Sequence, residues 1–187
     1  MPPKIKFTRD ELIETAVSLV RRDGADALNA RSLAAELHCS TQPVFSNFAT
    51  MEELRRAVLT AADALYRAAT NREIACGKYP PYKASGMAYI RFAGEEKELF
   101  KLLFMRDRSA EELPPETQEI KSIVALVQAG TGLNKDQATL FHLEMWAYVH
   151  GLAVMAATDY LHLEPELLSE MLTDAYLGMK MRYEEKE

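Results

Sequence analysis

An all-α fold follows from three features of the 187-residue chain. Apolar residues recur at helical spacing in one segment after another, no run alternates with period two long enough to make a sheet, and caps or breakers (Thr, Asn, Ser, Gly, Pro) punctuate the periodic stretches. The expected architecture is an N-terminal helix-turn-helix domain of three helices, joined by a long helix to a second helical domain.

Thr8 and Glu11 have capping-box spacing ahead of Leu12, Ala16, Leu19 and Val20, which predicts a first helix over 9–22, closed by Gly24. Asn29 caps a short helix over 30–37 whose apolar positions are Leu33, Ala34 and Leu37. After the break at His38-Cys39-Ser40, Ser40 is the expected cap of a third helix over 41–47, with Pro43 at its third position, where a missing N–H costs nothing. Thr50 and Glu53 form another capping box, opening a long helix through Leu54, Val58, Ala61, Leu65 and Ala69. The run Cys76-Gly77-Lys78-Tyr79-Pro80-Pro81-Tyr82 is the strongest break, and the expected organisation is 1–50, a connecting helix 51–75, and a domain over 76–187. Beyond it, periodic stretches cover roughly 84–105, 115–129, 135–158 and 165–183, separated by Pro114-Pro115, Gly130-Thr131-Gly132 and Glu164-Pro165.

Composition narrows the function. With 48% hydrophobic and 27% charged residues the chain is globular, and no apolar run approaches the roughly 18 residues of a membrane span. The start Met1-Pro2-Pro3-Lys4 lacks the apolar core of a signal peptide, so the expected location is the cytoplasm, with Cys39 and Cys76 as reduced thiols. Net charge is −6, which argues against a general polyanion binder. The deficit lies wholly after residue 50. Before it, Lys4, Lys6, Arg9, Arg21, Arg22 and Arg31 balance six acids, so any nucleic-acid contact belongs to the N-terminal part.

Catalysis finds little support. His38, His142, His150 and His162 stand apart from obvious nucleophile or carboxylate partners, Glu95, Glu96 and Glu98 read as a solvated helix face, and there is no phosphate-cradling glycine loop or nucleophile elbow. No metal site and no cofactor are expected.

Three short helices followed by a long one, with a three-residue turn between the second and third, is the layout of a helix-turn-helix DNA reader. The string Ala30-Arg31-Ser32-Leu33-Ala34-Ala35-Glu36-Leu37-His38-Cys39-Ser40-Thr41-Gln42-Pro43-Val44-Phe45-Ser46-Asn47-Phe48, followed by Glu52-Glu53-Leu54, resembles the N-terminal domain of the TetR family of transcriptional regulators. Leu33, Ala34, Leu37, Cys39, Val44, Phe45 and Phe48 are expected to pack the second and third helices together. The opposite face then presents Ser40, Thr41, Gln42, Ser46 and Asn47. Hydroxyls suit phosphates, while Gln42 and Asn47 suit base edges, most naturally adenine. Lys4, Lys6, Arg31 and Pro43 complete the expected DNA-binding set. The family usually has Gly at His38, Tyr at Phe45, often His at Asn47, and Lys at Met51, so two habitual backbone contacts are missing here.

The stretch Trp146-Ala147-Tyr148-Val149-His150-Gly151-Leu152 resembles the Trp and His-Gly signature in the C-terminal domain of a subset of these regulators. The last two helices are apolar on more than one face, and a homodimer burying Leu140, Leu143, Leu167, Leu168, Met171, Leu172, Ala175 and Met179 in a four-helix bundle is expected. Met87, Phe92, Phe100, Phe104, Met105, Met145, Trp146 and His150 are the expected lining for an apolar or aromatic small-molecule effector. The resemblance implies a repressor that binds a palindromic operator on double-stranded DNA as a dimer and is released by its effector, with no membrane partner. The rival reading is a helical adaptor that has lost specific DNA binding.

Overall fold

The computed structural model describes residues 7–107, 109 and 118–184. Among them the chain forms nine α-helices and one 3-10 turn and contains no strand: α1 Arg9–Asp23, α2 Ala30–Glu36, α3 Gln42–Asn47, α4 Met51–Ala75, α5 Pro81–Glu95, α6 Lys97–Phe104, α7 Gln118–Thr131, α8 Lys135–Ala157 and α9 Pro165–Glu184. The helices gather into two compact units. One takes the chain up to Arg67 with Glu96–Arg106, and the other takes Ala68–Glu95 with the chain from Asp107 onward. This division differs from the boundary expected near residue 76. Helix α4 contributes to both units, and α6 returns to the first.

The helix ends of the first unit follow local chemistry. The Glu11 N–H donates to Thr8 Oγ1 (3.2 Å) and the Thr8 N–H to the Glu11 carboxylate (2.7 Å), which is the reciprocal capping box. Asn29 Oδ1 accepts from the Arg31 and Ser32 N–H groups, both at 3.0 Å. At α4 the box is shifted: the Glu53 N–H donates to Thr50 Oγ1, but the Glu53 carboxylate accepts from the Ala49 N–H. At α3 the expected Ser40 cap is replaced by Thr41, which makes no side-chain capping bond, so Pro43 moves to the second helical position.

The turn between α2 and α3 is strained at one residue. The Cys39 N–H donates to the Ala34 carbonyl (2.9 Å) and the His38 N–H to the Ala35 carbonyl (3.1 Å), which places His38 in the left-handed region at φ 52°. A side chain there costs energy that glycine avoids. His38→Gly is therefore expected to stabilise the chain by roughly 0.5–1 kcal/mol, the relief being partly offset by a freer unfolded chain. A urea melt showing no gain, or a loss, would contradict this.

The core of the first unit is built from Leu12, Leu33, Val44, Phe48, Leu54 and Val58, each at most 1% exposed, with Leu99 and Phe100 of α6 also fully buried. The expected single stretch over 84–105 is in fact two helices. The backbone breaks at Glu96 (φ −121°, ψ 51°), whose carboxylate accepts from Arg21 Nε at 2.7 Å, and α6 packs on α1.

In the second unit α5 packs most extensively along α8, and α7 packs against α8 as well. Two hydrogen bonds cross between α5 and α8: Tyr82 Oη to His142 Nδ1 at 3.1 Å and Tyr89 Oη to His150 Nδ1 at 2.9 Å. Burial raises the Tyr82 pKa and lowers those of His142 and His150. Toward the end of α5, Arg91 pairs with the buried Glu73 at 2.6 Å, and near its start Lys83 Nζ donates to Thr173 Oγ1 at 2.7 Å. Among the described residues no helix is long and apolar enough to cross a membrane.

Candidate nucleic-acid interface

Helix α3 has six residues, and its sides are sharply divided. Val44 is fully buried, and Phe48 just beyond it is 1% exposed. Gln42, Phe45 and Ser46 are exposed, with Thr41 and Pro43 half-buried beside them. Phe45 is the clear departure from expectation. It is not buried between α2 and α3 but stands 53% exposed, while Val44 and Phe48 are buried.

The polar side chains differ in how free they are. The amide of Gln42 and the hydroxyl of Thr41 make no hydrogen bond among the described residues, so both are available to an external partner. Ser46 Oγ donates to the Gln42 carbonyl at 2.8 Å and keeps its lone pairs outward. Asn47 corrects the expectation of a second base reader. It is half-buried, and its Nδ2 donates to the Pro43 carbonyl at 2.9 Å and to the Phe7 carbonyl at 3.3 Å. Those amide protons are already used, and bidentate pairing with adenine needs them.

A network around Arg9 ties the end of α3 to its neighbours. Arg9 Nη1 donates to the Asn47 carbonyl at 2.7 Å, Nη2 lies 2.9 Å from the Glu53 carboxylate, and the guanidinium stacks 4.2 Å from the Phe48 ring centre. The N–H of Ala49 and the guanidinium of Arg9 together hold the Glu53 carboxyl below its usual pKa. Arg9 is thus a clamp joining α1, α3 and α4, not a free cation. Arg21 pairs with Glu96, and Arg22 with Asp23 and Glu36. Among the described residues of this unit, the exposed guanidiniums without an ion pair are Arg31, Arg55 and Arg56. The last two lie in the second turn of α4, and the sequence reading missed them; an exposed Arg-Arg dipeptide close behind the motif was the available signal. Ser40 is exposed, and Lys4 and Lys6 lie outside the described residues.

The residues expected to line an effector cavity are shared between the two units. Phe100 and Phe104 belong to the first unit, with ring centres 5.1 Å apart, and Met105 is 42% exposed. Met87, Phe92 and Met145 are buried in the second unit, while Trp146 is 45% exposed and stacks on His150, their centres 5.2 Å apart. A surface depression of that unit is lined by Ile120, Lys121, Val124, Gln128, Lys135 and Thr139, none of them in the expected set.

The expected dimer residues also divide. Leu140, Leu143 and Leu167 are exposed, and Leu168 and Met171 are half-buried. Leu172 is buried, and Ala175 and Met179 pack against the core cluster of Val124, Val127, Phe141 and Met145, so these three serve the interior of the chain. Beside the expected Leu140, Leu143 and Leu167, the outward large apolar residues of these helices include Trp146 on α8 and Leu177 and Met181 on α9.

Fold and interface together define a helix-turn-helix protein whose second unit is a helical bundle. Residues 82–176, half of the chain, match the family described as Tetracyclin repressor-like, C-terminal domain, and the chain belongs to the TetR family of transcriptional regulators. It is 22% identical over 156 residues to an uncharacterized HTH-type transcriptional regulator of Mycobacterium tuberculosis, covering 82% of this chain and 72% of that protein. A Rhodococcus protein of unknown function has the same fold, with TM-score 0.68, 24% identity, and 97% and 98% of the two chains covered. The multidrug binding protein EbrR, solved with imidazole, aligns with TM-score 0.60 and 18% identity over 89% of this chain and 88% of its own.

Proposed function

We propose that the chain is a ligand-responsive repressor that reads a palindromic DNA operator as a homodimer. The observation that carries this reading is the outer face of α3, where Gln42 and Thr41 are uncommitted among the described residues while Arg9 and Glu53 hold the end of the helix in place. Gln42 reads adenine in the major groove, and Arg31 and the hydroxyls of Ser40, Thr41 and Ser46 engage phosphates. Dimerisation uses the outward apolar residues of α8 and α9. Gly151 of α8 leaves room for this role: among the described residues, a Cβ added there would meet no atom within 4 Å beyond its chain neighbours and its own helix backbone.

The effector is an apolar or aromatic small molecule taken up by the second unit, in whose interior Met87, Phe92 and Met145 lie. The likeness to a multidrug binding protein supports this reading. Ligand lowers operator affinity to the extent that it prefers the DNA-incompetent state.

Selection of bound sequences from a random duplex pool, at low and moderate salt, tests the proposal. An inverted repeat that survives moderate salt is the expected result, and adding a ligand found by calorimetry should release it. Weak, salt-sensitive retention without an enriched sequence would instead favour an adaptor that has lost specific DNA binding.

A further inference from the structure

More than half of Phe45 lies outside the packing of its own unit. Among that unit's described residues it is the only Phe, Tyr or Trp ring more than half exposed, at 53%, and the adjacent core positions are already filled by Val44 and Phe48. It stands between Gln42 and Ser46 on a face that is otherwise polar. Lacking a hydroxyl, it cannot hydrogen-bond a phosphate or a base edge. The apolar group that the major groove offers is the C5 methyl of thymine.

We infer that Phe45 is a specificity residue that packs on a thymine methyl in each operator half-site. This deepens, and rests on, the DNA-reading function proposed above. Geometry places the contact. Residues three apart on a helix have Cβ atoms about 5–6 Å apart, and successive base pairs are about 3.4 Å apart, so the thymine lies within about two base pairs of the adenine read by Gln42. The half-site therefore carries, within about two base pairs, two A·T-type readings of different chemistry, an amide pairing with a base edge and a ring covering a methyl.

The experiment uses the full-length protein and the operator recovered by selection, with each half-site thymine replaced in turn by deoxyuridine, which removes the methyl and leaves the hydrogen-bonding pattern intact. One thymine per half-site is expected to matter. Losing its methyl should weaken binding about fourfold, and about fifteenfold when both half-sites are changed, as burial of one methyl implies. Phe45→Ala should bind the thymine and uracil operators alike, whereas Phe45→Leu should retain part of the discrimination. Because Phe45 is exposed, thermal melts of both variants should match the parent.

The inference is overturned if no thymine is sensitive, or if the same thymine is equally sensitive in Phe45→Ala. In either case sequence-specific binding itself would persist and the broader proposal would stand. Absence of any preferred sequence would overturn both.

Discussion

Leu143→Asp is expected to convert a dimer into a monomer without unfolding it, and to abolish operator binding at concentrations where the parent is saturated. Leu143 is 53% exposed on α8, in line with Leu140 one turn before and with Ala147 and Gly151 beyond. A carboxylate there meets water in the monomer, so the intrachain core is untouched. In a two-fold interface each substitution acts twice. Losing two partly buried leucines and desolvating two carboxylates costs roughly 4 kcal/mol or more, about a thousandfold in the dimer constant. Sedimentation equilibrium at micromolar concentration reads the mass, and circular dichroism reads the fold. Leu172→Asp is the contrast: it buries a charge at a position 3% exposed within the chain, and should unfold the second unit outright. If Leu143→Asp remained dimeric, the interface would not be this face of α8.

The difference between those two leucines shows where sequence reasoning lost resolution. Both belong to helices that are apolar on more than one side, and periodicity selects a buried face only when the opposite face is polar. Leu172, Ala175 and Met179 were therefore indistinguishable from Leu167 until packing assigned them inward. Two helix starts were legible because caps act over three or four residues: Thr8 with Glu11 and Asn29 with Ser32 follow from neighbours in the chain, whereas α5 begins at Pro81, inside the segment read as a break.

What was not legible is non-local. The Asn47 amide is taken by a carbonyl 40 residues away, and Arg9 clamps the end of α3 across 38 residues. Charge counting entered Arg9 only as one of six cations balancing six acids in the N-terminal part. Likewise Glu95, Glu96 and Glu98 read as a solvated face, but Glu96 marks the break that sends Leu99 and Phe100 into the first unit. A six-residue helix poses a further ambiguity. Val44 and Phe45 are consecutive and both apolar, so one must face out, and volume alone favours burying the larger. The structure buries the smaller.

Gln42→Ala is expected to change which sequence is bound, not merely how tightly. Gln42 is exposed near the start of α3, its amide has no partner among the described residues, and the Arg9 clamp fixes the helix that carries it. Bidentate pairing to adenine is worth about 2 kcal/mol, and a palindrome presents it twice, so the parental operator should be bound about a thousandfold less tightly. Selection with the variant should lose the adenine preference at one position per half-site and keep the rest. Arg31→Ala is the control for backbone contact. It should weaken all sequences alike and reduce the slope of log affinity against log salt by about one per half-site. These patterns separate base reading from attraction to phosphate. If Gln42→Ala kept the parental sequence preference while Arg31→Ala lost it, the two roles would be reversed, and the first turn of α2 would be the reading element.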